Sequence, residues 1–185
     1  MRAPFAALGI RSDGEAVTGV AYLPDRVREQ APSDRIAARA LREIARYLED
    51  PAFRFTVPIR PGGTAFQRRV WDAISAIPLA ESRTYGEVAR GLHSAARAVG
   101  QACGANRIAL IIPCHRVVGS RGSLGGFMRT AGPTQGPSAP SGGSAAAKPQ
   151  AWGDVDRTAR ETENRDSPLA IKRWLLAHEG YRFGA

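Results

Sequence analysis

Apolar and polar residues along this 185-residue chain follow two different periods, and the switches between them predict its elements. "PFAALGI" from Pro4 and "AVTGVAYL" up to Leu23 read as two strands, joined where Asp13-Gly14 supplies the residues of a tight hairpin turn. From Ser33 to Asp50 the apolar positions Ile36, Ala40, Leu41, Ile44, Tyr47 and Leu48 take a helical spacing, with Ser33 or Asp34 to cap the start and Pro51 to stop it. Phe53, Phe55, Val57 and Ile59 return to period two, which predicts a third strand until "RPGG" at 60–63 breaks the pattern. A domain boundary is expected there.

Thr64 is placed to cap a helix whose Phe66, Val70, Trp71, Ile74 and Ile77 form one face and which ends before Pro78. "TYGE" at 84–87 has the form of a capping box, Thr84 accepting from the third helical amide while Glu87 reaches back, with Val88, Ala89 and Leu92 as the buried stripe. After His93, Ser94 is the expected cap of another helix, with Ala95, Ala98, Val99 and Ala102 inward and Arg97 and Gln101 outward. Two short helices across a tight turn fit a helix-turn-helix, and they fit a plain helical hairpin equally well. "IALII" at 108–112 predicts a buried strand that runs into Pro113, Cys114 and His115. From 128 to 166 the chain turns rich in Pro, Gly, Ser and Ala, a composition that cannot offset its ordering entropy by burial, so a disordered insert of 39 residues is expected. Order resumes with Ser167 as cap, Pro168 at the first helical position, Leu169, Trp174, Leu175 and His178 in register, and Gly180 as the stop.

With 43% hydrophobic residues the chain can bury a sizeable core, and its net charge of +9 favours anionic partners. The excess is uneven: residues 61–127 carry eight basic and three acidic side chains, against five and five in 128–166. A nucleic-acid site on the helix pair is the economical reading. Two cysteines are too few for a disulfide framework, and three histidines make a structural zinc set hard to assemble, so no metal is expected. No stretch approaches the roughly 20 apolar residues of a membrane span, and the N-terminus lacks the form of a signal peptide. These features predict an intracellular, cytoplasmic protein that does not contact a membrane.

Cys114 beside His115 at the end of an apolar run is the one arrangement that suggests covalent chemistry. A free cysteine has a pKa near 8.5 and attacks as the thiolate, so it needs a base, and a base needs an acid to orient it. Adjacency alone fits buried packing as well as catalysis, since free cysteine is among the most buried residue types. Cys103, on the inward side of its helix, reads as core.

Five stretches together go further. "FQRRVWDAISAIP" at 66–78, "TYGEVA" at 84–89, "AARAVGQACGAN" at 95–106, "PCHRV" at 113–117 and "KRWLLAHEG" at 172–180 resemble, in order and spacing, the O6-alkylguanine-DNA alkyltransferase family, also called methylated-DNA--protein-cysteine methyltransferases. The resemblance implies an α+β fold: a small N-terminal ribonuclease-H-like α/β domain over 1–60, then a mostly helical, winged-helix-like helix-turn-helix domain over 61–127 and 167–185. It implies Cys114 as alkyl acceptor, His115 as the histidine that activates it through water, Glu179 as the acid that orients His115, and Asn106 as holder of the turn beside the site. Arg97 would fill the gap left by an extruded base, and Tyr85 would crowd the phosphate and contact the flipped guanine. Thr84, Ala95, Ala96 and Gln101 would meet DNA, and Val117, Phe127 and Ser167 would line the alkyl pocket. The implied activity is single-turnover transfer from O6-alkylguanine, with O4-methylthymine as a further substrate, by a monomer bound in the minor groove of double-stranded DNA and using no cofactor.

Two departures from the family pattern stand out. His93 occupies a usual proline position, and the insert after Phe127 replaces a short glycine-containing loop, leaving Ser167 to take the place of a pocket hydroxyl. Three other readings compete. A non-catalytic lesion-binding relative would lack the cysteine, a transcription regulator would carry long polar side chains on its second helix, and a cysteine hydrolase would turn over repeatedly.

Overall fold

A computed structural model describes residues 1–24, 27–121, 123–127 and 167–183. The predicted disordered insert, 128–166, lies outside the described residues. The architecture is α+β, with helices packed around a little sheet structure. Strands β1 (Ala7–Ser12) and β2 (Val17–Leu23) pair antiparallel, Ala7 opposite Leu23. At their turn the Asp13 carboxylate accepts from the amides of Glu15 and Ala16, and Gly14 takes a left-handed φ of 90°. Helix α1 (Arg35–Glu49) packs on this hairpin; its cap is Asp34, which accepts from the Ala37 amide.

The predicted third strand is not formed. Only Ile59 bridges to the sheet, beside Val17, because the amides of Thr56 and Val57 go instead to the Glu43 carboxylate of α1, at 2.8 and 2.9 Å. Periodicity places the side chains correctly there, but the amides find a side-chain acceptor before they find a strand.

Helix α2 (Ala65–Ser75) starts with a capping box between Thr64 and Gln67, and α3 (Tyr85–Gly91) with one between Thr84 and Glu87. Before α3, β3 (Arg83–Thr84) pairs parallel with β4 (Val117–Val118). Helix α4 (Ala96–Gly104) packs across α3 and α2, and the Trp71 indole donates to the Ala102 carbonyl at 2.9 Å. Ser94 is not its cap. Ala95 holds that position without a side-chain bond, the Ser94 amide bonds to Ala89, and Ala95 is exposed rather than inward. Helix α5 (Pro168–His178) is capped by Ser167 as expected. Its buried face is Ile171, Lys172, Leu175 and Leu176, whereas Leu169 is exposed.

The 108–112 run is buried but is not a strand. It turns back on itself, the Ile112 amide donating to the Ile108 carbonyl at 2.9 Å with Leu110 at φ 77°, and its tie to the hairpin is the Val20 amide on the Arg107 carbonyl. One hydrophobic core runs from Phe5, Val20 and Ile44 through Val70, Trp71 and Ile74 to Val99, Ile108, Val117 and Leu175. The residues on either side of the expected boundary at 60–63 therefore share their apolar interior.

Candidate active site

Asn106 builds the platform. Its side-chain oxygen accepts from the Ile108 amide at 2.9 Å and its nitrogen donates to the Ile112 carbonyl at 3.0 Å, so one buried side chain ties both ends of the turn. Pro113 follows, and a single 3-10 turn, Cys114–Arg116, carries the next three side chains in sequence. Cys114 is a free thiol, 3% exposed. Burial pushes its pKa up, while the Asn106 amide and the nearby Lys172 ammonium pull against that.

His115 is fully enclosed, and its Nε2 lies 3.0 Å from Oε1 of Glu179, the residue that ends α5. Burial would raise the Glu179 carboxyl, yet the hydrogen bonds from His115 and Arg116 hold it at about 2. Glu179 is therefore ionised and can only accept, which assigns the ring proton to Nε2 and leaves Nδ1 unprotonated. Nδ1 has no protein hydrogen-bond partner among the described residues. Burial lowers the pKa of the ring, with Glu179 restoring part of the loss, so the imidazole is neutral at neutral pH.

Three groups around this pair carry no expectation from sequence. Arg116 forks onto Glu179, Nε to Oε2 and Nη2 to Oε1, both at 2.8 Å, and sends Nη1 to the Ile77 carbonyl at 2.7 Å. The hydroxyl of Tyr47 on α1 donates to the same Oε1 at 2.8 Å. Lys172, with no exposed surface, donates to the carbonyls of Val117, Leu124 and Gly126 at 2.6, 2.5 and 3.2 Å. Burial brings its pKa down to about 8. Arg116 and Lys172 stand inside the "PCHRV" and "KRWLLAHEG" stretches, whereas no motif marks Tyr47.

Two of the three residues expected to line a pocket, Val117 and Phe127, meet at Lys172. Val117 and Phe127 are buried, the Phe127 ring lies 5.9 Å from the Lys172 nitrogen, and the Tyr85 ring lies 5.7 Å from it. The Tyr85 hydroxyl donates to the Gly126 carbonyl at 2.8 Å, and burial near the two thiols raises its pKa, so it stays a phenol. Gly125, at φ 64°, passes so close that a Cβ there would stand 2.8 Å from the Tyr85 ring. Ser167 accepts from the Ala170 amide through its Oγ, and its O–H has no acceptor among the described residues. Cys103 is core, and burial pushes its thiol up to about 12.

On the outer side, Ala95, Ala96, Arg97 and Gln101 are all exposed along the start of α4. Arg97 has no hydrogen-bond or ion-pair partner among the described residues. Thr84 is engaged at both ends, accepting from the Glu87 amide and donating to its carboxylate. Among the described residues no cluster of three or more histidine, cysteine or acidic side chains is placed to hold a metal, and no helix is long and apolar enough to cross a membrane.

Comparison with known proteins gives the family of the chain. Residues 65–137 match the family model described as 6-O-methylguanine DNA methyltransferase, DNA binding domain. A methylated-DNA--protein-cysteine methyltransferase of Methanosarcina acetivorans is 35% identical over 131 residues, covering 67% of this chain and 84% of its own. One of Mycobacterium leprae is 38% identical over 134 residues, covering 69% and 81%. Among solved structures, Mycobacterium tuberculosis O6-methylguanine methyltransferase superposes with a TM-score of 0.65 at 28% identity, covering 97% of this chain and 89% of that one. Mycobacterium tuberculosis OGT in complex with DNA gives 0.61 at 36% identity, covering 69% and 81%. The chain belongs to the methylated-DNA--protein-cysteine methyltransferase family.

Proposed function

We propose that this chain repairs alkylated duplex DNA by moving the alkyl group from O6 of guanine, and from O4 of thymine, onto Sγ of Cys114, once per molecule. The observation that carries the reading is the orientation of His115: an ionised Glu179 holds the proton on Nε2, so Nδ1 is the base available to the neighbouring thiol. His115 takes the Cys114 proton through a water, the thiolate attacks the alkyl carbon, and the C–S bond forms as the C–O6 bond breaks. The electron pair leaves with the guanine, which collects a proton, and Tyr85, kept as a phenol by burial, is the donor at hand. Nothing in the site hydrolyses a thioether, so the acceptor is consumed. Lys172 supports the thiolate electrostatically and fixes the Val117–Phe127 wall; Ser167 offers its O–H to the guanine oxygen.

A thiol 3% exposed cannot reach a base inside a stacked duplex, so the base is turned out at an energetic cost of a few kcal/mol. Arg97 is suited to the gap, because a planar guanidinium can stack and hydrogen-bond there. The small side chains of Ala95 and Ala96 let the backbone of α4 approach closely, which suits the minor groove. Thr84 and Gln101 complete the contact as a monomer binds. In this reading residues 61–127 and 167–185 form the winged-helix-like DNA-binding unit, and 1–60 a ribonuclease-H-like one.

The test is an intact-protein mass spectrum after mixing with a slight excess of duplex carrying one O6-methylguanine, beside Cys114→Ala. The expected result is a gain of one methyl group on the wild type alone, saturating at one equivalent. Binding to the lesion without mass gain would replace transfer with a recognition-only function.

A further inference from the structure

Tyr47 stands on α1, in the N-terminal segment, yet its hydroxyl is buried against the acid that serves His115. Oε1 of Glu179 receives three donors, one from α1 and two from the turn that follows Cys114: Tyr47 Oη at 2.8 Å, His115 Nε2 at 3.0 Å and Arg116 Nη2 at 2.8 Å. The phenol is not free to turn away. Its ring packs against Phe55 and His178, with centroids 5.4 and 5.3 Å apart, and the Tyr47 carbonyl accepts from His178 Nε2 at 2.8 Å.

A buried tyrosine needs some acceptor, and a structural role would be complete with any carbonyl. Here the acceptor is the atom that faces the catalytic imidazole. Every bond that Oε1 accepts from elsewhere spreads its charge and weakens its pull on the His115 proton. Resting on the function proposed above, we infer that Tyr47 is a positioning residue for alkyl transfer: by sharing Oε1 with His115 it sets the rotation of the Glu179 carboxylate and keeps His115, next to Cys114 in the same turn, a neutral base.

The groups that face His115 divide cleanly. Glu179, at the end of α5, favours a protonated ring; Arg116 in the same turn and Lys172 on α5 oppose it; Cys114 is the proton source. Tyr47 is the neutral member, acting through Glu179 alone, with Tyr22 of β2 and His178 of α5 as its own titratable neighbours. Removing its O–H concentrates charge on Oε1, strengthens the bond to His115 and favours imidazolium. The unreactive state, thiol with imidazolium, then persists to higher pH.

The experiment is the single-turnover rate of methyl transfer from an O6-methylguanine duplex against pH, for wild type, Tyr47→Phe, and Ile44→Val, in the buried core face of the same helix, as a packing control, with Tm measured on each. Tyr47→Phe is expected to move the acid-side midpoint upward by about half a pH unit or more. Ile44→Val is expected to lower Tm and leave the midpoint where it is. Should Tyr47→Phe not fold, 3-fluorotyrosine at position 47, equal in shape and a stronger donor, is expected to move the midpoint downward. Coincident midpoints for wild type and either Tyr47 variant would overturn the role of Tyr47 while leaving the proposed function standing. Failure of the wild type to accept methyl at any pH would overturn both.

Discussion

The side-chain nitrogen of Lys172 lies 2.6 Å from the Val117 carbonyl and 2.5 Å from that of Leu124, so one buried ammonium joins α5 to the segment that walls the site. The same ammonium reaches Gly126, whose carbonyl also takes the Tyr85 hydroxyl.

Lys172→Met keeps the apolar stem but takes the ammonium from the Val117 and Leu124 carbonyls, while Gly126 keeps the Tyr85 hydroxyl. Buried acceptors left without donors cost about 1–3 kcal/mol each, offset in part by no longer burying a charge. A net loss of about 3 kcal/mol is expected, read as a Tm lower by roughly 10 °C for a chain of this size. An unchanged denaturation midpoint would mean the burial cost of the cation cancels its bonds.

Acid should unfold the protein through the His115–Glu179 pair. The Glu179 carboxyl sits at about 2 in the fold against 4.5 ordinarily, so its contribution, about 3 kcal/mol, is complete above about pH 4.5 and disappears as pH falls toward 2. His115 works in the same direction: its folded pKa lies below the ordinary 6.5, so the unfolded chain takes up that proton first as pH drops. Stability is thus expected to decline from about pH 6.5 downward. In Glu179→Gln the loss between about pH 4.5 and about pH 3 should be smaller than in the wild type, measured by urea denaturation at each pH.

Asn106→Ala removes both side-chain bonds that close the 108–112 turn and leaves the Ile108 amide short of a partner, while the Ile112 carbonyl keeps the bond from the Cys114 amide. We expect a stability loss of about 2 kcal/mol and a transfer rate at least about tenfold lower, since the turn carries Cys114. Retention of the full rate in folded Asn106→Ala would show that the turn holds without its clamp.

Arg97→Ala alters an exposed side chain with no protein partner among the described residues, so Tm should stay within about 1 °C, in line with small surface effects. Transfer from duplex DNA should slow, while transfer from a free alkylated base should not. If Arg97 instead only neutralises a phosphate, duplex affinity will fall uniformly across sequences and the salt slope will drop by about one.

Much of the site was legible because its parts lie in short stretches with their own local logic. The Thr84 capping box and the Ser167 cap are present as read, and Cys114, His115, Asn106 and Glu179 converge. What escaped reading depends on partners far along the chain. Tyr47 sits at a core position of α1 and looks like packing, since its acceptor is 132 residues away. Lys172 looks like a solvated charge on a helix until three carbonyls are seen to converge on it. The errors at 53–59 and 108–112 share one cause: an apolar pattern reports which side chains are buried and is silent on where the amides go. At 53–59 Glu43 took them, and at 108–112 Asn106 and the turn itself did.

Helix α5 sets a spacing between two jobs. Lys172 and Glu179 are seven residues apart, two turns of one face, so the wall of the site and the partner of His115 are held about 10 Å apart along the axis by nothing but helical rise. Ahead of Ser167, residues 128–166 separate Phe127 from the helix in sequence. Between Lys172 and Glu179 a single inserted residue would swing the carboxylate by about 100° around the axis and part it from His115. Helix α5 is thus indexed to the residue between its two jobs, so a one-residue deletion between Lys172 and Glu179 should disable the protein even where the helix itself still forms.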